Sequence, residues 1–415
     1  MKNQIVVIGG GAAGMFAAVW AARFGGQVCL LEPNPYLGKK LNITGKGRCN
    51  LTNATDLDGL MANTLRNNRF LYSGYAKMSP QDVMSFFEEL GVPLKVERGN
   101  RVFPVSDRAK DITNALEREL KRLAVRIVHA RATEILTSEN EVYAVRCVEE
   151  TIPCKQVILA TGGLSYPTTG STGDGYRMAQ ELGHTLVEPT ASLVPLASHL
   201  TLCQSLQGLT LKNVTLTAID ENGRQVFSEL GEMLFTHFGV SGPLVLSASA
   251  HLPEGKGTLQ IDLKPGLTRE QLDARILRDF SAAQNRDLGN VLGGLLPKTM
   301  IGAVLSKMNA PSTCKVHSVT RKMREDLVEQ LKCFILPALG KRPISEAIVT
   351  AGGISVRDVS PKTMESKLVK GLYFAGEVLD VDGYTGGFNL QIAWSTAYLA
   401  GVSAGQRAAM GGESE

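Results

Sequence analysis

Gln4-Ile5-Val6-Val7-Ile8-Gly9-Gly10-Gly11-Ala12-Ala13-Gly14 is the stretch of the chain with the clearest structural signature. Residues 4–8, rich in β-branched side chains, read as a buried parallel strand that runs into a Gly-x-Gly-x-x-Gly turn at Gly9, Gly11 and Gly14. Met15 to Arg23 is Ala-rich and helical in character, and Gln27 to Leu31 is a second strand ending at the acidic Glu32. Together these segments make a β-α-β unit. In such a unit the first glycine makes the tight turn, the second lets backbone approach a pyrophosphate, and the third lets the helix lie close on the strand. Ala12 and Ala13 fall in the first helical turn, whose N–H groups and partial positive charge suit phosphate. Glu32, 18 residues after Gly14, is placed to accept hydrogen bonds from an adenosine ribose.

The same glycines settle a second question. Ile5 to Ala22 carries no charge and follows Lys2, a pattern that a hydropathy window could take for a signal peptide or membrane span. Gly9, Gly10, Gly11 and Gly14 interrupt that run, and a nucleotide turn explains them better. The chain has 415 residues, 44% hydrophobic and 20% charged, which excludes disorder or a fibrous repeat and is long enough for two to three domains. Seven scattered cysteines, Cys29, Cys49, Cys147, Cys154, Cys203, Cys314 and Cys333, form no CxxC. They point to a reducing, cytoplasmic setting and away from disulfides or zinc. No GxSxG elbow, HExxH or clustered ligand set suggests a hydrolase or a metal centre.

The second half of the chain bears on which dinucleotide is bound. Val157-Ile158-Leu159 leads into Ala160-Thr161-Gly162-Gly163, and Leu372-Tyr373-Phe374 leads into Ala375-Gly376-Glu377. In flavoproteins with two dinucleotide-binding folds, such elements return to the first domain and the late acid reaches the ribityl chain of FAD. Gly386 to Gln391, including Gly387, Phe388, Asn389, Leu390 and Gln391, would open a last helix over Ile392 to Ala404 whose N-terminus faces the flavin. There is no second GxGxxG for a separately bound NAD(P), so a nicotinamide reductant would dock transiently. The expected architecture is α/β: a Rossmann-like FAD domain with an inserted β-barrel-like and helical domain.

These segments, with Lys40-Leu41-Asn42-Ile43-Thr44-Gly45-Lys46-Gly47-Arg48-Cys49-Asn50-Leu51-Thr52-Asn53, Arg101 to Pro104, Phe235 to Pro243 and Asp380 to Gln391, resemble the BaiN/RdsA (YhiN) family of FAD-dependent proteins, also called aminoacetone-oxidase-like. The resemblance runs the length of the chain. It implies that the Thr44–Asn53 loop extends from the FAD ribose toward the isoalloxazine ring. Gly45 and Gly47 would allow close approach there, with Lys46 and Arg48 meeting pyrophosphate or flavin oxygens and Lys40 holding phosphate. It also implies a backbone contact to adenine at Ala132. The FAD set is thus Gly9, Gly11, Ala12, Ala13, Gly14, Glu32, Lys40, Thr44, Gly45, Gly47, Arg48, Ala132, Thr161, Gly162, Gly376, Glu377, Gly387, Phe388, Asn389, Leu390 and Gln391. Cys49 beside Arg48 is a candidate proton donor with a lowered pKa, against the commoner role of a free cysteine as a small packed residue. His237 is the alternative acid or orienting group.

The expected domains are residues 1–188 and 348–415 for FAD and 189–347 for the insertion, β-rich over 189–263 and helical over 264–345. Strands near Arg126–Ala130 and Val142–Val148 would form a crossover sheet, and Thr268 would cap a helix through Phe280. Arg324 to Ile335 would be a second amphipathic helix, and Met410 to Glu415 a frayed tail. The net charge of +4 conceals a contrast. Residues 264–345 hold 14 Lys/Arg and 7 Asp/Glu, a balance of +7, which leaves −3 for the rest. A basic lobe of that kind suits a phosphate backbone, or is simply a solvated helical surface. The resemblance implies reduction of an activated C=C, with uridine in large-subunit ribosomal RNA as leading substrate. A small-molecule enone reductase or amine oxidase, and a flavoprotein with a binding role only, remain as alternatives.

Overall fold

A computed structural model describes residues 4–410, and the chain divides into two compact units. One comprises residues up to Ser192 together with those from Ala347 onward; the other is Leu193–Glu346. The expected boundaries at 188 and 347 shift slightly because Leu186–Ser192 pairs antiparallel with Val349–Ile354, and both strands belong to the first unit.

The first unit is built on a parallel sheet. Its strands are β1 (Gln4–Ile8), β2 (Gln27–Leu31), β3 (Arg126–Val128), β4 (Gln156–Leu159) and β5 (Leu372–Phe374), in the spatial order β5-β4-β1-β2-β3. Every neighbouring pair is parallel. β1 is buried from Ile5 to Ile8, as a central parallel strand requires. The chain runs outward from β1 on one side through β2 and β3, and on the other through β4 and β5, so the order reverses between β1 and β4. The carboxyl ends of strands at such a reversal are where open α/β sheets take ligands. Arg126–Ala130 was expected in the crossover sheet, but its strand Arg126–Val128 extends the main sheet beside β2. The crossover sheet is instead Ala132–Ser138, Glu141–Cys147 and Thr151–Pro153.

Two helices cover the site-bearing strands: α1 (Ala12–Arg23) and α2 (Phe388–Met410). The nominally uncharged Ile5–Ala22 run therefore divides into a strand and this helix. Among the described residues, no helix is long and apolar enough to cross a membrane. α2 begins earlier and ends later than Ile392–Ala404, since Gly386 and Gly387 (φ 117° and 105°) stop the preceding chain and small residues carry the packing past Ala404. Met410 is helical, and residues 411–415 of the expected tail lie outside the described residues. A Cβ at Gly401 would stand 2.5 Å from Ala17 O, and one at Gly405 2.7 Å from Ala21 O, so α1 and α2 touch backbone to backbone. Phe16, Phe86, Phe87 and Trp394 form an aromatic cluster at their inner ends.

The second unit is a closed six-stranded barrel of Leu196–Ala197, Gly239–Ser241, Gln225–Phe235, Thr210–Ile219, Lys256–Asp262 and Phe334–Lys341, in that order around the wall. The expected β-rich stretch is thus a barrel, and the helix after Thr268 runs Arg269–Ser281 with Thr268 and Gln271 forming a capping box. The expected helix Arg324–Ile335 is displaced. Thr320 caps it at Met323 N, it spans Arg321–Lys332, and the chain then becomes strand. From Phe334 onward the pattern alternates, with Phe334, Leu336 and Ala338 buried and Ile335 and Leu339 exposed, which is a period of two.

Gly401→Ala should lower stability by about 1–3 kcal/mol through overpacking against Ala17, despite a helix-propensity gain of about 1 kcal/mol. An unchanged urea midpoint would contradict that close contact. His184 is buried in the first unit, with Nδ1 3.0 Å from Ala179 O and Nε2 2.7 Å from Ser366 Oγ, and burial holds it below its ordinary value of 6.5. Its contribution is therefore complete above about pH 6.5 and is lost as pH falls through the lowered folded value. His184→Asn should flatten that part of the stability–pH curve, measured by urea unfolding from pH 7.5 to 5.

Candidate functional site

The cavity of the first unit opens where the sheet order reverses, at the carboxyl ends of β1, β2, β4 and β5, and is lined there by Gly9, Glu32, Ala160 and Ala375. Its floor is the turn from β1 to α1. Gly9 has φ 107°, and a Cβ there would lie 2.5 Å from Ala160 O. A Cβ on Gly14 would lie 1.7 Å from Gly9 O, so Gly14 packs the helix against its own turn. Gly11 is different: a Cβ there would meet nothing within 4 Å. The open side of Gly11 faces the cavity, together with Ala12 and Ala13 at the N-terminus of α1. That is the space and polarity a diphosphate needs.

Glu32 and Glu377 mark two further parts of the wall. Glu32 is buried and accepts Gly10 N at 2.7 Å, Asn34 N at 2.8 Å and Asn34 Nδ2 at 2.6 Å. Glu377, just beyond β5, pairs with Lys40 at 2.6 Å, and its other oxygen accepts Ser165 Oγ at 2.8 Å and Thr350 N at 2.9 Å. Burial opposes ionisation of Glu377, but the Lys40 ammonium and the donors outweigh it and hold the carboxyl below the usual range. Ala132, Thr44, Thr161 and Gly162 line the same cavity. Thr161 Oγ1 is buried with no hydrogen-bond partner among the described residues, lying where a Cβ on Gly175 would come within 2.0 Å. The open face at Gly11 and the two carboxylates at the cavity wall fit a dinucleotide with ribose or ribityl hydroxyls.

Several expected contacts are placed otherwise. After Thr44 the loop turns away through left-handed residues Gly45, Lys46, Gly47 and Cys49 (φ 57°, 60°, 83° and 60°), and neither Gly45, Gly47 nor Arg48 lines the cavity. Arg48 lies 4.1 Å over the Phe103 ring and pairs with Glu97 and with Asp107. Its charge is already matched, which explains why it is drawn from the cavity. Cys49 is fully buried, and burial pushes its thiol up to about 12, only partly countered by the neighbouring Thr44 side chain. The lowered pKa expected of Cys49 is thereby reversed: Arg48 points elsewhere, and an apolar enclosure disfavours thiolate.

At the start of α2, Asn389 and Leu390 line the cavity, whereas Gly387, Phe388 and Gln391 do not. A Cβ on Gly387 would meet Thr52 O at 2.3 Å, and Phe388 is buried. Gln391 is wholly buried, accepting Thr52 Oγ1 at 2.5 Å and donating to Met78 O at 2.8 Å. Its expected cofactor contact is a core hydrogen bond instead, since a buried amide must be satisfied. Gly376 (φ 77°) would place a Cβ 2.8 Å from Ala13 Cβ, so it closes β5 onto α1 rather than facing ligand. Lys40 meets Glu377 and Ser165 where the sequence suggested phosphate. His237 belongs to the second unit, exposed in the turn between Gln225–Phe235 and Gly239–Ser241, its ring against Phe238.

The basic lobe is less bare than its sum suggests. Arg269, Arg275, Lys315, Arg321, Lys322, Arg324, Lys332 and Arg342 each face a carboxylate. Arg278, Arg286 and Lys298 are exposed with no carboxylate partner among the described residues. Sequence reading did not find Ser165 and Thr350, which lie in no motif and meet Glu377 only through folding. With a thiol titrating near 12, Cys49 should resist iodoacetamide in the native protein at pH 8, while the half-exposed Cys314 reacts. Peptide mass mapping after a short exposure reads this, and rapid alkylation of Cys49 would overturn its assignment as a packed residue.

Comparison with known proteins now bears on this geometry. The family model described as HI0933-like protein Rossmann domain matches residues 3–403. A 3-dehydro-bile acid delta(4,6)-reductase of Clostridium scindens is 33% identical over 415 aligned residues, covering 98% of this chain and 100% of that protein. A ribosomal RNA dihydrouridine synthase of Haemophilus influenzae is 32% identical, covering 97% and 98% respectively. Among solved structures, a flavocytochrome c3 fumarate reductase superposes with TM-score 0.54 at 17% identity, over 98% of this chain and 78% of that one. A 3-ketosteroid-delta4-(5alpha)-dehydrogenase of Rhodococcus jostii gives TM-score 0.54 at 16% identity, over 97% of each chain. These two share the fold. With the family model matching residues 3–403 of its 415, the chain belongs to the HI0933-like Rossmann family.

Proposed function

We propose that the protein is an FAD-dependent oxidoreductase that adds two hydrogens across a carbonyl-activated C=C bond, acting on uridine in large-subunit ribosomal RNA. The observation that carries this reading is the pair of relatives at about one-third identity along nearly the whole chain. One name denotes a dihydrouridine synthase and the other a delta(4,6)-reductase, and both describe saturation of a conjugated double bond. Bound FAD supplies a two-electron carrier for that chemistry, with NAD(P)H as its transient source of electrons. The chain's own part is to hold and orient. The turn at Gly9, Gly11 and Gly14 with the start of α1 receives the diphosphate, and Glu32 and Glu377 face hydroxyls. Asn389 and Leu390 at the start of α2 bring a helix N-terminus to the same cavity.

The proton added to the second carbon needs a donor. Cys49 is enclosed and Arg48 is tied to two carboxylates, and neither lines the cavity, so neither residue fills that role in the folded chain. A uridine in RNA must be unpaired or flipped to reach a flavin. On this reading Arg278, Arg286 and Lys298 are the cations best suited to meet phosphate, and the enzyme works in the cytoplasm, as the scattered cysteines suggest. A second reading, reduction of a small enone, is favoured by the full-length match to the bile acid reductase and by the paired state of most lobe cations.

The test maps dihydrouridine in ribosomal RNA from cells lacking the gene and from cells complemented with it. Loss of one site, restored on complementation, is the expected result. Purified protein should carry FAD that bleaches on anaerobic addition of NAD(P)H. Unaltered ribosomal RNA alongside turnover of a steroid-like enone would overturn the RNA reading and support the small-molecule one. Rapid peroxide formation in air would overturn reductase chemistry in favour of an oxidase.

A further inference from the structure

We propose that Lys40 is a positioning residue. Paired with Glu377 and braced by Ser165, it keeps that carboxylate charged and turned to the cavity as an acceptor for a hydroxyl of bound FAD. The inference rests on the FAD reading above and deepens it.

The geometry is a closed polar circuit joining three remote parts of the chain. Lys40 Nζ donates to Glu377 Oε2 at 2.6 Å and to Ser165 Oγ at 2.6 Å. Ser165 Oγ in turn donates to Glu377 Oε1 at 2.8 Å, and Thr350 N donates to the same oxygen at 2.9 Å. Thr350 Oγ1 accepts Leu164 N at 2.8 Å and Ser165 N at 3.1 Å, which fixes the serine. Oε1 thus has two donors and Oε2 only one among the described residues. Lys40 and Glu377 both line the cavity. The acceptor capacity that remains on Oε2 therefore lies at a cavity wall, and its direction is set by the lysine and serine.

The charge arrangement is equally confined. The side chains of Lys40 and Glu377 are only 23% and 19% exposed, so neither is well solvated alone. The other titratable group against Glu377 is Tyr176, from the helix Asp174–Glu181, with its hydroxyl 3.4 Å from Glu377 O. Burial and the nearby carboxylates of Glu377 and Asp380 keep that phenol neutral. Asp380 is itself paired to Arg66 at 3.2 Å. Strand Val349–Ile354 contributes backbone and the Thr350 hydroxyl but no charge. Lys40 is the cation that balances Glu377. Without it, a poorly solvated carboxylate takes up a proton nearer neutrality and ceases to be a purely accepting group.

The experiment measures FAD affinity of the apoprotein by flavin fluorescence from pH 8.5 to 6, for wild type, Lys40→Met and Lys40→Met/Glu377→Gln. Wild type should bind FAD with a nearly flat profile. Lys40→Met should weaken as pH falls, by up to about tenfold per unit below the new titration point of Glu377. The double variant should be weak but flat again, since no carboxyl remains to titrate. Far-UV circular dichroism and thermal melts establish that each variant folds. A loss in Lys40→Met that is uniform with pH, as a lysine serving only phosphate would give, overturns the inference while leaving the FAD reading intact. Equal affinity in wild type and Lys40→Met overturns it as well. A wild type that takes up no FAD overturns both.

Discussion

The site-bearing unit depends on one close contact, the approach of α1 to the turn it grows from. A Cβ at Gly14 would overlap Gly9 O at 1.7 Å, and Gly9 itself sits against Ala160 O at the end of β4. No side chain fits at either point. The contact brings the N-terminus of α1 over the carboxyl ends of β1 and β4, where the strand order reverses, and leaves the outer side of Gly11 open. The second helix obeys the same constraint, laying Gly401 and Gly405 on α1 backbone. The floor and the back of the cavity are therefore built by absent side chains, which cannot move aside as rotamers do.

Polar groups then divide between two tasks. Glu32, Gln391 and Asn389 spend most of their hydrogen-bonding capacity on their own protein: Glu32 on Gly10 and Asn34, Gln391 on Thr52, Met78 and Ser395, Asn389 on Gly383 and Tyr384. These bonds shape the wall. One oxygen of Glu377 keeps capacity in hand at the cavity. Since a buried polar atom without a partner costs roughly 1–3 kcal/mol, capacity withheld at a concave site marks where a ligand completes the structure.

In the barrel unit, electrostatics limits what composition can say. The surplus of cations over 264–345 counts residues and is blind to geometry. Arg321 and Lys322 meet Glu325 and Asp326 one helical turn on, and Arg324 reaches Asp273 on another helix. Exposed pairs of this kind contribute little stability, about 0–1 kcal/mol each, but they shorten the reach of the field that a polyanion would sense. The surface available to phosphate thus narrows to the cations that lack such neighbours.

How much was legible follows from how local each signal is. The β1-turn-α1 unit, the strands at Val157–Leu159 and Leu372–Phe374, the β-rich character of the stretch before residue 264 and the Thr268 cap rest on residues within a turn or two of each other, and these the sequence alone determined. The misplaced elements each lost to a distant neighbour. Arg126–Val128 was claimed by β2, and Ile335 by its partner strand Lys256–Asp262. Site residues divide the same way. The backbone roles of Gly9 and Gly11 and the placement of Glu32 at the end of β2 follow from spacing, because a tight turn permits few alternatives. The direction of a long side chain does not: Arg48 turns to Glu97 and Asp107, Lys40 crosses to Glu377, and Cys49 is sealed off. The charge partners of Arg48 and Lys40 lie 49 to 337 places away in the chain, which only the tertiary structure brings within reach.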